Sequence, residues 1–471
     1  MKVTQVAIRP TQASDAAGRP ALTPELLAAS GARYSRNNEG LEAILAKIDP
    51  ANLDKSVDSI FRMIDYGHQS IADMAPVAMF VDGVSLWLAY YMWSLCPTAG
   101  GQESSTRYIR LDADGLIDAQ SLGIPESQRA AWDALMARCF AHYKAALEFW
   151  EGIAAATPEI ARIPRSLLDD PSDKAARQVA RMRRNYGFDR ARNFLPVAVK
   201  TNVMMIMSAR GWVQLCQHLL SHALPEPRAL GEAIAKELEL SAPRMLRHAT
   251  AKPSIEKGLQ REFARLREMA THDAAHLAGG AECFDRASTA SLQLMLPPGT
   301  AAEDLASDLE LHDNRYAWIG SSLQRTAIRF AWEAIAFAEI RDLNRHRTGT
   351  KHCPLAPVGF YSALDQLPPR ADSANIDAIA ALSELGREAS AGARARLAGG
   401  EASYIYWTLL GTQYSFEHVT TADKFLYEAE LRTGTGAHFR YAEHLHDALA
   451  LWYELFPNTR GLVLEGSAEP E

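Results

Sequence analysis

The sequence predicts an α+β fold, rich in helices, that is built from two similar mixed α/β units in tandem. Three observations support this. The chain has 471 residues, more than one hydrophobic core usually accommodates. Apolar residues mostly recur at helical spacing, and only a few stretches alternate as strands do. Two segments, YYMWSLCPTAGGQESSTRY and FAEIRDLNRHRTGTKHCP, each lead from an apolar helix into a polar loop, which indicates a weak internal repeat.

Apolar spacing of three and four residues predicts the helices, and alternation predicts the strands. The predicted helices are residues 41–48, 57–66, 130–153, 230–246, 328–344 and 439–456. The predicted strands are residues 76–80, 203–207, 291–296 and 404–410. Residues 372–401, rich in Ala, Gly, Ser and charge, are predicted to be either a helix or a surface loop.

The repeat predicts three parts along the chain. Residues 1–249 form the first unit and residues 286–471 the second. Between them, residues 250–285 are charged and rich in alanine, which is typical of a connecting segment.

Composition narrows the classes of function. A net charge of −8 argues against a generic binder of nucleic acid, although a local basic pocket can still hold a phosphate. The five cysteines form no CxxC pair, so a cytoplasmic protein is expected. No signal-like segment and no run of about 18 apolar residues occurs, so we expect no membrane association.

The polar run from Gln102 to Tyr108 follows two glycines and therefore begins in a turn. Its Ser, Thr and Arg donors suit a phosphate, because hydrogen bonds to an anion are the stronger kind. A solvated loop with an incidental arginine is the alternative interpretation.

The triplet Arg345-His346-Arg347 concentrates positive charge at the end of an apolar helix and suits an anionic or electron-rich ligand. The alternative is a basic helix C-terminus that complements the helix dipole.

The glycine-rich segment from Arg432 to His438 precedes a helix, and a ligand could approach its backbone amides. A helix-to-helix turn with a glycine cap is the alternative.

Arg192 and Arg210 flank a predicted strand. The alternative to a binding role is that they are two surface arginines.

Motifs for other chemistries do not stand out. The sequence contains no GxSxG, HExxH or P-loop motif. His272 and His276 lie four residues apart, but two histidines do not make a zinc site, so no metal site is predicted.

Taken in order, these segments resemble the flavin-dependent thymidylate synthase family, whose signature is RHRxxSxNExSxRY. In the first half, GARYS at 31–35, GHQSIADM at 67–74, QESSTRY at 102–108, ARNFLP at 191–196 and SAR at 208–210 resemble family segments. The RHR positions there read Leu95-Cys96-Pro97. The second half has Arg345-His346-Arg347 and a family-like closing segment, 425–443, but lacks ExSxR.

The resemblance implies an enzyme that converts dUMP to dTMP, with FAD as cofactor and with NADPH and methylenetetrahydrofolate as co-substrates. No side-chain nucleophile is required, so the protein contributes binding, orientation and electrostatics. Another pyrimidine nucleotide is the alternative substrate. A non-catalytic nucleotide- or partner-binding protein and an unrelated helical scaffold are the alternative interpretations of the chain.

The resemblance also implies roles for residues of this sequence. The nucleotide would be held by Gln102, Glu103, Ser105, Arg107, Arg192 and Arg432. Arg432 would also act in catalysis by stabilising charge that develops on the pyrimidine ring. FAD would be held by Ser35, Ser70, Arg210, Arg345, His346, Arg347 and His438. Because family members are homotetramers, two tandem chains would form a homodimer that acts as a pseudo-tetramer.

Overall fold

The computed structural model describes residues 1–6, 22–35, 40–48, 52–53, 55, 57–58, 69–106, 112–272, 288–369 and 371–467. The strands are β1 (Lys2–Val6), β2 (Pro76–Ser85), β3 (Gly100–Glu103), β4 (Lys200–Ser208), β5 (Ala290–Met295), β6 (Ala327–Ala336), β7 (Thr350–His352), β8 (Gly359–Phe360) and β9 (Thr412–Thr421).

Helices make up most of the remaining described structure. They are α1 (Pro24–Tyr34), α2 (Leu41–Leu45), α3 (Leu86–Leu95), α4 (Glu126–Ala156), α5 (Arg165–Leu168), α6 (Asp173–Ala191), α7 (Ala209–Leu220), α8 (Pro225–Leu238), α9 (Pro243–Leu246), α10 (Pro253–His272), α11 (Ala302–Ser307), α12 (Ser321–Arg325), α13 (Phe337–Leu343), α14 (Ser373–Ala398), α15 (Ala422–Thr433) and α16 (Phe439–Leu455). Short 3-10 helices lie at Gln69–Met74, Ala113–Gly115, Arg192–Phe194, Leu364–Gln366, Ala402–Trp407 and Pro457–Thr459.

The two antiparallel sheets repeat one topology. The first has the strand order β1-β2-β4-β3 and the second β5-β6-β9-β7, with β8 added beside β9. In each sheet a register shift interrupts the central pair, between Asp82 and Val84 and between Trp332 and Ile335. Each inner strand leads directly into a helix, β2 into α3 and β6 into α13. The α+β prediction is confirmed, and the weak repeat of the sequence corresponds to a repeat of strand order.

Two of the predicted elements are wrong. Residues 328–344 are mainly strand β6, because Ile328, Phe330 and Trp332 alternate towards the core in the strand period of two. Residues 404–410 are not a strand. Ser403 to Trp407 are all buried without alternation, in a 3-10 helix that precedes β9. Residues 372–401 were predicted to be a helix or a surface loop, and the helix is correct. Helix α14 spans Ser373–Ala398, and the side chain of Asp372 caps its N-terminus. Most of 57–66 lies outside the described residues.

The described chain forms two compact units that differ from the linear division. Unit 1 contains residues 1–110, 115–125 and 199–263, and unit 2 contains residues 111–114, 126–198 and 264–471. The division into 1–249, 250–285 and 286–471 stays a prediction about the sequence repeat. In the connecting segment, the described residues from Pro253 to His272 are helical.

Unit 1 is organised around its four-stranded sheet. Trp212 on α7 is fully buried, and its indole Nε1 donates to the Val77 carbonyl, 3.0 Å away. Ser85 caps α3, and both its backbone N–H and its hydroxyl donate to the buried Glu226 carboxylate at 2.8 and 2.9 Å. These contacts join the sheet to helices α3, α7 and α8.

Unit 2 combines the second sheet with the long helices α4, α6 and α14. Its fully buried side chains include Trp132, Trp150, Trp332 and Trp452. The indole Nε1 of Trp132 donates to the Tyr406 carbonyl at 2.9 Å, so α4 packs against the chain just before β9.

Candidate functional site

The basic triplet Arg345-His346-Arg347 lies in unit 2, between α13 and β7. Helix α13 ends at Asn344, and Gly349 turns the chain into β7 with a φ of 65°. At that turn a Cβ would lie 2.0 Å from the Val419 carbonyl oxygen, so only glycine permits the close approach to β9. The turn therefore holds the triplet at the end of the second sheet.

One partly buried carboxylate, that of Asp342, lies among the arginines of unit 2. The Arg192 NH2 group donates to Asp342 Oδ2 at 3.3 Å, and Arg345 NH1 lies 3.5 Å from Oδ1. Burial would raise the pKa of Asp342, but Arg192, Arg345, Arg432 and Arg341 together hold it well below its usual range. The aspartate is therefore ionised and has several guanidinium groups as its neighbours.

Arg192 reaches this cluster because its segment pairs with the chain before β9. The Leu410 and Gly411 N–H groups donate to the carbonyls of Leu195 and Asn193, both at 2.8 Å. Arg192 is 5% exposed, and its Nε has no hydrogen-bond partner among the described residues. Arg192 therefore holds one buried N–H donor that the described residues leave unpaired.

His346 and Arg432 contact each other directly. Arg432 Nε donates to His346 Nε2 at 2.7 Å. An arginine Nε always carries its proton, so His346 Nε2 is the acceptor and a neutral ring carries its proton on Nδ1. Burial lowers the pKa of His346 to about 4, with Arg432 acting in the same direction, which agrees with a neutral ring.

Behind His346 lies the fully buried carboxylate of Glu428. Its Oε2 lies 4.0 Å from His346 Nδ1 and 3.1 Å from His418 Nδ1. The approach to His418 is short but lacks the alignment of a hydrogen bond. Burial would raise the pKa of Glu428, but His346, His418 and Lys351 lower it overall. Lys351 Nζ also donates to the carbonyls of His346 and Thr348.

His438 is engaged on both ring nitrogens. Its Nδ1 accepts from the Arg440 N–H at 3.2 Å and caps α16, and its Nε2 donates to the Asp189 carbonyl at 3.0 Å. Burial lowers its pKa to about 4, and Arg192 adds to this effect. His438 is 2% exposed, and its ring stacks on Phe439 with the two centroids 4.6 Å apart.

The polar run of the first half belongs to unit 1. Gln102 and Glu103 lie on β3, which pairs with β4, and the Thr201 hydroxyl donates to Glu103 Oε1 at 3.4 Å. Gln102 is exposed, and Ser105 is half-buried. Arg107 lies outside the described residues.

The remaining predicted cofactor contacts also lie in unit 1. Arg210 NH1 forms an ion pair with Asp73 Oδ2 at 2.9 Å, and the Ser208 hydroxyl donates to Asp73 Oδ1 at 3.2 Å. Ser35 is exposed, and its hydroxyl donates to the Ala32 carbonyl at 3.0 Å. Ser70 is exposed.

The predicted residues thus fall into two groups. Unit 2 holds Arg192, Arg345, His346, Arg347, Arg432 and His438, and unit 1 holds Gln102, Glu103, Ser105, Ser35, Ser70 and Arg210. The sequence interpretation missed Asp342, Glu428, His418 and Lys351. Two helical spacings could have revealed the acids. Asp342 stands three residues before Arg345, and Glu428 stands four before Arg432.

Two absences concern only the described part of the chain. Within it, no helix is long and apolar enough to cross a membrane. The same residues contain no group of three His, Cys, Asp or Glu side chains that could hold a metal ion.

Comparison with known families gives one match. Residues 21–244 match the family model described as thymidylate synthase complementing protein, which represents the flavin-dependent thymidylate synthases. A search of curated proteins found no match. The matched range covers the first sheet from β2 onward and also the segment of Arg192, while the basic triplet and Arg432 lie beyond it. Residues 21–244 of this chain are therefore similar to the flavin-dependent thymidylate synthase family.

Proposed function

We propose that the protein is a FAD-dependent enzyme that transfers a one-carbon unit reductively to a pyrimidine nucleotide. The conversion is dUMP to dTMP or the same reaction on a related nucleotide, with NADPH and methylenetetrahydrofolate as co-substrates. The family match supports a thymidylate synthase type of function in general. The choice of an anionic nucleotide rests on the geometry of unit 2.

The observation that carries the proposal is the arginine cluster around Asp342. Arg192, Arg345, Arg432 and Arg341 all lower the pKa of the Asp342 carboxyl, so four guanidinium groups lie around one carboxylate. Guanidinium groups gathered in this way suit a phosphate or another anion. Arg192 adds a buried Nε that has no partner in the described part of the chain.

Arg432 is the proposed catalytic residue. Its Nε is used by His346, and among the described residues no hydrogen bond involves its two terminal nitrogens. Two parallel N–H groups suit a planar pair of oxygens, or a ring oxygen on which negative charge develops. Arg432 would thus bind the pyrimidine and stabilise its charged form.

The residues present fit a dinucleotide cofactor of high negative charge. Arg345 is 42% exposed, and Arg347 is partly buried beside it, so their guanidinium groups are suited to phosphate. In unit 1, the Nε of Arg210 is buried and has no hydrogen-bond partner among the described residues. We therefore propose Arg345, His346, Arg347, His438, Arg210, Ser35 and Ser70 as contacts of FAD.

When bound, FAD supplies the electrons and takes part in carbon delivery, and the side chains bind and orient the reactants. For the nucleotide we propose Gln102, Glu103, Ser105, Arg107, Arg192 and Arg432. We further propose that two chains form the homodimer in which these residues act.

The first experiment is an absorption spectrum of the purified protein between about 350 and 500 nm, with release and identification of the flavin. We expect FAD to be bound and dUMP to be converted to dTMP when both co-substrates are supplied. Arg432→Ala is expected to lower kcat by about 100-fold or more, since it removes a donor to developing charge.

Arg138→Ala is the matched control, because Arg138 forms an exposed ion pair with Glu388 and should leave the rate unchanged. A protein that neither contains nor takes up FAD would refute the proposal and favour a non-catalytic nucleotide-binding protein. Bound FAD without turnover of dUMP would direct the search to another pyrimidine nucleotide.

A further inference from the structure

The buried carboxylate of Glu428 has no role in the reaction so far described. It lies on α15, one helical turn before Arg432, and is fully buried. Neither of its oxygens makes a well-aligned hydrogen bond with the described residues. Burying a carboxylate without hydrogen bonds costs free energy, so the groups around Glu428 are expected to offset that cost.

Its neighbours fix where the protons are. His418 Nε2 lies 2.7 Å from the Thr348 carbonyl, which can only accept, so this nitrogen carries a proton. His418 Nδ1 lies 3.1 Å from Glu428 Oε2, the same oxygen that is nearest to His346 Nδ1.

The other side of the carboxylate faces His346. Because His346 Nε2 accepts from Arg432, the Nδ1–H of the same ring points towards the carboxylate, 4.0 Å from Oε2. The negative charge favours this orientation of the ring dipole over the flipped one. Lys351 stabilises the loop by donating to the carbonyls of His346 and Thr348.

We propose that Glu428 is a positioning residue, which holds the His346 ring so that Nε2 accepts from Arg432 and the terminal nitrogens of Arg432 are directed at the nucleotide. The inference rests on the proposed function for the identity of the ligand. The arrangement of carboxylate, imidazole and donor does not depend on it. Where a second residue orients a metal-binding side chain, its loss lowers metal affinity by about 10- to 100-fold, and we expect a change of the same order for the orientation of Arg432.

The test compares the wild type with Glu428→Gln, which keeps the side-chain volume and removes the charge. Glu430→Gln is the matched control, because Glu430 lies on the same helix and makes an equally buried contact, 2.9 Å from His312 Nε2. The first readout is the ¹⁵N spectrum of histidine-labelled protein, with His346 assigned through His346→Gln. The second is the affinity for dUMP at saturating FAD.

We expect neutral His346 in the wild type to carry its proton on Nδ1. Glu428→Gln should shift the ring towards the Nε2–H tautomer and weaken dUMP binding by about 10- to 100-fold, while the control changes neither. Glu428→Asp keeps the negative charge but moves it away from His346, because the side chain is shorter. It should shift the tautomer in the same direction and cause a smaller loss of affinity. This variant serves if the glutamine variant does not fold.

A wild-type His346 that is protonated on Nε2 would overturn the inference, as would a Glu428→Gln variant with an unchanged tautomer and unchanged affinity. A protein in which Glu428→Gln shifts the tautomer, but which binds no dUMP, would refute the proposed function and support the positioning of Arg432 by Glu428.

Discussion

Replacement of Asp342 by asparagine should both destabilise the protein and strengthen its response to anions. The carboxylate lies 3.3 Å from Arg192, and the two side chains are 19% and 7% exposed. At an effective dielectric constant of about 20, unit charges at this distance attract by about 5 kcal/mol. The contact with Arg345 adds little, because that side chain is 42% exposed and screened by solvent.

Removing one partner of a buried pair costs about 3–5 kcal/mol, because the other charge stays buried without compensation. We therefore expect Asp342→Asn to lower the free energy of unfolding by about that amount. Inorganic phosphate should restore part of the loss, since it supplies the missing negative charge. It should stabilise the variant more than it stabilises the wild type.

The assay is urea unfolding followed by tryptophan fluorescence, with and without phosphate. Glu388→Gln provides the control, because it removes the carboxylate of an ion pair at 2.6 Å whose side chains are about half exposed. That change should cost less than about 1 kcal/mol and should not depend on phosphate. If Asp342→Asn cost no more than the control, or gained no more from phosphate than the wild type, the electrostatic reasoning would be wrong.

Two further predictions concern buried histidines and a glycine turn. In the folded protein burial lowers the pKa values of His346 and His438 to about 4, whereas in the unfolded chain they have the ordinary value of 6.5. Between pH 6.5 and pH 4 the unfolded chain therefore binds more protons, and the free energy of unfolding should fall as the pH decreases through this range. Each histidine contributes at most about 3 kcal/mol, and His438→Gln should flatten this dependence in urea unfolding at several pH values. Gly349→Ala should cost several kcal/mol or prevent folding, because φ is 65° and the new Cβ would meet the Val419 carbonyl oxygen. Gly152→Ala is its control. No atom lies within 4 Å of the new Cβ in α4, so this change should stabilise the protein by about 0.5–1 kcal/mol. If both variants shifted the melting temperature by similar amounts in the same direction, the conclusion that position 349 requires glycine would be wrong.

Local sequence patterns predict the secondary structure correctly where the apolar residues of a segment follow a single period and the segment has one exposed face. The helix over 130–153 and the strand over 203–207 were predicted because apolar spacing distinguishes periods of 3.6 and 2. The same criterion failed for β6. Its apolar residues satisfy both periods, and pairing with β9 selects the strand.

The candidate residues divide in the same way. Arg345-His346-Arg347 was recognisable because three polar residues interrupt an apolar sequence. Glu428 and His418 were not, because other ionisable residues stand beside them in α15 and β9 and nothing in either segment distinguishes them. Their importance depends on a meeting of α15, β9 and the loop after α13, which no local spacing encodes.

The sequence by itself determined the α+β class, the resemblance to the flavin-dependent thymidylate synthases and the chemical character of the polar runs. Short-range sterics and periodicity act within a few residues of the chain, so these properties can be read locally. Only the tertiary structure decided that residues 126–198 join the second sheet in unit 2 and that Arg192 contacts Asp342, 150 positions along the chain. It also decided that Arg432 donates to His346, 86 positions away. Such pairs form because burying a charge without a partner is costly, and the choice among possible partners is made by the packing of the whole unit.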